Sequence, residues 1–286
     1  MATLSLNPMA TTNALGSFGV QSDGYVQGVA LDDPANRFNL AAGTVAATET
    51  KPLWGGLPVA ELLPGTSSSP RGSTIRRAVS VAELEGFTVF NQAHNGLTTP
   101  QSPVPLYASG MSVSYYRLGS NMRVPLKASA QVVALGTAGA SVKTPLAWDF
   151  VNNQITTAAA AGFAGADIAT TAVTYASGVA TATTASAHGL TAGQYVKISG
   201  VAPAAYNGTV VVLSVPSSTT FTYAPATAPG GAATTQGTIG AVTLSDITLP
   251  VKVIAIETGN SKTVTYDSVT GFLTWNNTDS CALVLL

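Results

Sequence analysis

Charge is the scarcest property of this sequence: only 9% of its 286 residues are Asp, Glu, Lys or Arg. Globular proteins usually carry about 25%. The 12 basic and 13 acidic residues give a net charge of −1, unlike the basic surface of a nucleic-acid-binding protein. The low net charge and ordinary apolar content also exclude charge-driven disorder. We therefore expect a folded chain without a nucleic-acid partner.

Three further absences narrow the class of protein. The single cysteine, Cys281, excludes an internal disulfide framework and a zinc site with several cysteine ligands. No apolar run approaches the roughly 20 residues that a membrane-spanning helix needs. The N-terminal segment lacks the basic region and long apolar run of a secretory signal. These features predict a protein that is made in a cytoplasm and has no membrane partner.

Strand-forming residues dominate the chain, and long segments of helical period are nearly absent. The predicted fold is all-β with very little helix: a β-barrel or sandwich core domain and a second, small β-sandwich or barrel module. Ser177-Gly178 and Asn207-Gly208 predict hairpin turns. Asp267–Gly271 predicts a five-residue hairpin loop, and the apolar end Ala282–Leu286 predicts a buried strand.

Four further segments predict a short helix, two strands and an extended connector. Ser80 followed by Glu83 resembles a capping box and predicts one short helix. The segment Ala130–Leu135 is a strand candidate, and Pro100–Pro105 predicts an extended connector. Val124–Leu126 is expected at a sheet edge, because its central residue is proline and cannot donate a backbone hydrogen bond.

The remaining charge is unevenly distributed and indicates the domain organisation. Between residues 150 and 245 only Asp167 and Lys197 are charged. The segments on either side resemble each other in composition. We therefore expect a discontinuous β domain formed by residues 1–152 and 241–286, with residues 153–240 inserted as an outward-projecting module.

No constellation of reactive side chains predicts catalysis, a cofactor or a metal. His94 and His188 are far apart, and neither has Cys, Asp or Glu neighbours at ligand spacing. Glu83 and Glu85 are two positions apart, so on a helix they would not face each other. Asp32-Asp33 is better explained by a turn. The prediction is a non-enzyme with no catalytic, cofactor-binding or metal-binding residue.

Several other residues have both a functional and a structural interpretation. The two Asn-x-Thr sites are more simply explained as turns, and Cys281 as a small buried apolar residue. The only basic grouping, formed by three arginines near residues 71–77, would face an acidic partner, or form a solvated face or inter-subunit ion pairs. The tryptophans could stack on sugars, although in β domains they more often lie in the core. These residues are Asn207–Thr209, Asn276–Thr278, Arg71, Arg76, Arg77, Trp54, Trp148 and Trp275.

Two sets of segments resemble known proteins. The middle of the chain resembles a small β module that recurs in structural proteins of tailed bacteriophages. The flanking regions resemble phage head cement (decoration) proteins. The module segments are Ala187–Leu190, Gly193, Val196–Gly200, Tyr206–Thr209 and Ser218–Tyr223. The cement segments are Phe90–His94, Thr99–Pro105, Tyr116–Asn121 and Gly259–Val264.

The cement resemblance implies a structural virion protein that binds and stabilises the major capsid protein lattice as a homotrimer. Its implied location is the capsid exterior, after synthesis in the bacterial host cytoplasm. The inserted module would project outward and could also contact the host surface. Three alternatives stay open: another virion position in a tail, baseplate or fibre; a surface adhesin with a glycan-binding module; and an enzyme such as a depolymerase.

Overall fold

The computed structural model describes residues 24–31, 39–63, 73–91, 96–99 and 102–286, and the backbone of two further short strands. It confirms the all-β prediction, because almost all regular structure is strand and two sheets close into barrels. None of the helices in the described part of the chain is long and apolar enough to cross a membrane.

The chain forms two compact units. The first runs to Thr144 and resumes at Pro250, and the second spans Pro145–Leu249. The first unit contains β1 (Asn13–Ala14), β2 (Val20–Gln21), β3 (Leu40–Val45), β4 (Pro58–Leu62), β5 (Ser73–Arg77), β6 (Gly86–Val89), β7 (Leu97–Thr99), β8 (Ser102–Leu106), β9 (Ser112–Arg117), β10 (Arg123–Lys127), α1 (Ala130–Thr137), β19 (Lys252–Tyr266) and β20 (Leu273–Leu285). The second contains β11 (Leu146–Asp149), β12 (Gln154–Thr157), α2 (Ala158–Ala161), β13 (Ile168–Ala176), β14 (Val179–Thr184), β15 (Tyr195–Ser199), β16 (Gly208–Ser217), β17 (Thr220–Tyr223) and β18 (Thr238–Gly240).

The first unit is built around a closed five-stranded barrel in the order β3-β5-β4-β6-β9. Its pairs are antiparallel except β3 with β5. Trp54, Phe87 and Tyr115 are among its fully buried side chains. A three-stranded sheet, β10-β20-β19, contains a long hairpin of 15- and 13-residue strands. This unit therefore combines a barrel with an extended hairpin.

The second unit is built around a closed six-stranded barrel in the order β13-β14-β17-β16-β15-β18, with every pair antiparallel. Tyr206, Phe221 and Tyr223 are fully buried in its core. The β11–β12 hairpin precedes the barrel, and Leu146 bridges to Leu249 at the end of the unit.

The domain boundaries that composition predicts, at 152/153 and 240/241, fall inside this second unit. The flanking residues belong to it because β11 pairs with β12, and because the Val242 N–H donates to Phe163 C=O at 2.9 Å. Composition placed them with the outer segments because Asp149 and Asp246 bring charge back at both ends.

Several local predictions are confirmed. Ser177 and Gly178, at φ 51° and 85°, join β13 to β14 as a two-residue turn. The Asp267–Gly271 loop joins β19 to β20, and Ala282–Leu286 lies almost entirely buried at the end of the chain. The Val124–Leu126 segment is part of β10, at the edge of its sheet.

Four local predictions are wrong. Residues 130–135 form helix α1 because the Ser129 hydroxyl accepts the Val132 N–H at 3.3 Å and caps it. Ser80 makes no such bond, so only a three-residue 3₁₀ turn forms at Val81–Glu83. The expected Pro-rich connector contains strand β8, paired with β7. Asn207-Gly208 closes no tight hairpin, because a longer loop with a 3₁₀ turn at Ala204–Tyr206 joins β15 to β16.

Candidate interaction surfaces

His188 holds a loop in place over the second barrel. Its ring is 3% exposed, and Nδ1 accepts the Leu190 N–H at 3.0 Å. The ring meets Phe221 edge-on, with 5.5 Å between centroids, and the His188 N–H donates to Ser218 C=O. These contacts are packing and loop closure, which is the structural interpretation of this residue. His94 lies outside the described residues.

The arginines of the basic group that can be placed are both engaged. Arg76 pairs with Glu83, with Nη1 at 3.0 Å from Oε1. The Arg77 guanidinium lies 4.8 Å from the centre of the Trp54 ring and donates to Pro52 C=O at 2.9 Å. Burial lowers the pKa of Arg77, and the charge of Glu49 partly opposes this effect. Arg71 and the Asp32-Asp33 pair lie outside the described residues.

Cys281 and both Asn-x-Thr sites have structural surroundings. Burial in β20 raises the pKa of Cys281 to about 12, so the thiol stays protonated at neutral pH. The Asn207 amide donates to Val201 C=O at 2.8 Å and accepts the Val201 N–H at 2.9 Å. Asn276 Oδ1 accepts the backbone N–H of Thr278 at 3.0 Å. These asparagines shape the backbone around them.

The tryptophans are packed against other side chains. Trp54 and Trp148 are 1% and 0% exposed, and Trp54 stacks on Tyr266 at 5.7 Å between centroids. Trp275 is half-buried between Phe90, at 5.8 Å, and Lys262, whose Nζ lies 5.2 Å from its ring. Two of the three rings are therefore inaccessible to a sugar.

No three His, Cys, Asp or Glu side chains in the described ranges lie close enough to hold a metal ion. The first unit has a shallow cleft of about 310 Å³ beside Asn39, Ala41, Arg117 and Ser120. Its charged group is already paired, because Arg117 Nη2 donates to Glu61 Oε2 at 3.0 Å. Hydrogen bonding with Arg117 lowers the pKa of Glu61 despite partial burial, so the pair is ionised at neutral pH.

The loop between β19 and β20 forms an internally hydrogen-bonded turn, the hairpin tip, comprising Asp267–Phe272. Asp267 accepts the Val269 N–H at 2.8 Å and the Thr270 hydroxyl at 2.6 Å. These bonds lower the pKa of Asp267. The Gly271 N–H donates to Asp267 C=O. The tip nevertheless leaves Val269 93% and Phe272 42% exposed, which makes it a preformed contact point.

A second surface, the hydroxyl wall, lies on four adjacent strands of the second barrel. Register aligns Thr174, Thr181, Thr222 and Ser214 in one row across β13, β14, β17 and β16. A neighbouring row contains Ala172 and three hydroxyl residues. The hydroxyl wall therefore consists of Thr174, Thr181, Thr183, Ser214, Ser217, Thr220 and Thr222.

Sequence reasoning located the loop of the hairpin tip but missed both surfaces. The exposure of Val269 has no signal in the sequence, because nothing around it distinguishes an exposed valine from a buried one. The hydroxyl wall depends on the register of four strands, although the repeated Thr residues of β14 and β17 hinted at it.

No protein-family model, no curated protein and no solved structure matches this chain.

Proposed function

We propose that this chain is a structural virion protein that decorates and stabilises a bacteriophage capsid from the outside. It binds the major capsid protein lattice as a homotrimer. The sequence resemblance to cement proteins suggests the particle. The structural observation that carries the proposal is the hairpin tip, an internally hydrogen-bonded loop that leaves Val269 93% exposed.

The energetics of the tip suit docking into a groove of the lattice. Burying Val269, which is almost fully exposed, contributes about 1.5–3 kcal/mol, and Phe272, which is 42% exposed, contributes roughly half as much or less. The hydrogen bonds of Asp267 already order the loop, so little conformational entropy remains to be lost on binding. A trimer presents three tips at once, and their combined avidity exceeds the affinity of one.

The low charge of the chain supports the same proposal. A decoration protein buries surface against its own copies and against the capsid, and desolvating a charge is costly. The half-buried cations Arg76 and Lys127 are both paired with carboxylates, at Glu83 and Asp279. A partner protein can therefore cover the surfaces around these ion pairs without burying an unpaired charge.

The test uses purified full-length protein and capsids that lack it. We expect a stable trimer that binds these capsids, and cryo-EM density on their exterior. Val269→Ser should weaken binding by about tenfold for each tip, which corresponds to about 1.4 kcal/mol. Val142→Ser is the matched control, because Val142 is a 52% exposed valine elsewhere in the same unit and should bind normally.

Two results would overturn the proposal. A purified protein that stays monomeric and leaves such capsids bare is not a decoration protein. Density in the tail, baseplate or fibre of intact particles would assign it to the alternative virion positions. If capsid binding occurs but Val269→Ser leaves it unchanged, the docking role of the hairpin tip is wrong.

A further inference from the structure

The hydroxyl wall of the second unit has hydrogen-bonding capacity that the fold does not use. Ser214 and Thr222 share a hydrogen bond of 2.7 Å. The hydroxyls of Thr174, Thr181, Thr183 and Thr220 have no hydrogen-bond partner among the described residues. Adjacent strands lie about 4.8 Å apart, so each row presents polar groups at regular short intervals.

The wall is also uncharged. The strands β13, β14, β16 and β17 contain no Asp, Glu, Lys or Arg. Designed soluble surfaces carry about 25–35% charged residues. A neutral, hydroxyl-rich ligand matches an uncharged surface of this composition.

The wall holds its hydroxyls in a fixed arrangement. Threonine is β-branched, and its side-chain rotation is restricted on a strand. The strands themselves close into a barrel, so they have no free edge along which the register could slip. Binding consequently orders few side chains, which favours recognition by many individually weak hydrogen bonds.

We propose that the hydroxyl wall binds a neutral polysaccharide. A protein partner fits less well, because tight protein interfaces rely on exposed Trp, Tyr or Arg anchors and the wall has none. Each hydrogen bond to the ligand replaces one to water and so contributes little net free energy, and a single module therefore binds weakly. Display of several copies multiplies that affinity. This function is separate from capsid binding, which we assign to the first unit.

The test displays biotinylated full-length protein as tetramers on streptavidin and measures retention on immobilised dextran, mannan and galactomannan. Hyaluronate is the acidic comparison. We expect retention on at least one neutral polymer. Thr181→Val with Thr220→Val should reduce that retention at least tenfold. Valine keeps the shape and β-branching of threonine, so the barrel should stay folded. Thr209→Val, on β16 but outside the wall, should leave retention unchanged.

Three outcomes would overturn the inference. The first is no retention on any neutral polymer, and the second is equal retention of wild type and the double variant. The third is weaker self-association of the double variant than of wild type in sedimentation, which would make the wall a contact between copies. Capsid binding of the same double variant is measured in parallel. Failure of the glycan assay with normal capsid binding leaves the proposed function standing.

Discussion

The two barrels use different polar chemistry. In the first unit, charged side chains pair across strands, as in Arg117 with Glu61 and Lys127 with Asp279. In the second, only Asp149, Asp167, Lys197 and Asp246 are charged. Many of its buried polar contacts run instead from neutral side chains to the backbone. Two examples are the Tyr195 hydroxyl, 2.6 Å from Trp148 C=O, and the Tyr223 hydroxyl, 3.2 Å from Tyr206 C=O.

Several motif residues of the middle segment form the interior of the second barrel. Tyr206, Asn207, Phe221 and Tyr223 all build the second barrel and its loops, and His188 packs on them. Burial raises the pKa of both Tyr195 and Tyr223, so both remain neutral donors. These motif residues therefore serve the fold of the second barrel.

The largest effect should come from the core of the second barrel. Phe221 is fully buried between His188 and Tyr223. Phe221→Ala should destabilise this unit by about 3–5 kcal/mol. Because the first unit has its own core, hydrogen exchange measured by mass spectrometry should rise within residues 145–249 and stay unchanged in the first barrel.

Phe272→Ala is the matched control for this prediction, because Phe272 is 42% exposed at the hairpin tip. It should change stability by no more than about 1.5 kcal/mol, because only part of the ring is buried. Equal exchange increases in both units of the Phe221→Ala variant would contradict the separation of the two cores.

A smaller effect should separate two adjacent arginines of the first unit. Arg77→Met removes a hydrogen bond to Pro52 C=O and a cation–π contact with Trp54, and should cost about 2 kcal/mol. Arg76→Met removes a partly exposed ion pair and should cost at most about 1 kcal/mol. Urea unfolding of both variants measures this difference, and equal losses would show that Arg77 contributes no more than a surface charge.

Local chemistry was enough to predict the turns. The turn at Ser177-Gly178 depends on residues that tolerate positive φ. The loop at Asp267–Gly271 depends on an aspartate side chain that accepts nearby backbone N–H groups. Both effects act within a few positions of the chain, so the sequence reveals them. The same reasoning failed at Asn207, whose amide binds Val201 across a loop, and at Ala130–Leu135, where the Ser129 cap outweighs the strand preference of two valines.

The candidate surfaces depend on longer-range organisation. The hydroxyl wall exists because Thr181 pairs with both Thr174 and Thr222, a register that no pair of adjacent residues specifies. The hairpin tip was located by its turn residues, but the exposure of Val269 follows from the path of two long strands. Burial of Arg77 was likewise unpredictable, because Trp54 reaches it from a different part of the barrel.

The smallest expected effect is a change in how much stability the first unit loses in acid when Asp279 is replaced. Burial alone would raise the pKa of Asp279, but the hydrogen bond from Thr263 and the nearby Lys127 together lower it. A carboxyl with a lowered folded-state pKa stabilises the fold above its unfolded pKa of about 3.9, and this contribution disappears as pH falls through the folded value. Wild type should therefore lose more first-unit stability between pH 5 and pH 3 than Asp279→Asn.

Urea unfolding of the first unit, followed by hydrogen exchange at both pH values, measures this slope. Asp246→Asn, at an exposed carboxyl of the second unit, is the control and should keep the wild-type slope of the first unit, which does not contain it. Parallel slopes for wild type and Asp279→Asn would mean that the Lys127 pair adds nothing to acid sensitivity. The contrast between the two units would then be one of composition and not of energetics, because partly exposed ion pairs often contribute little.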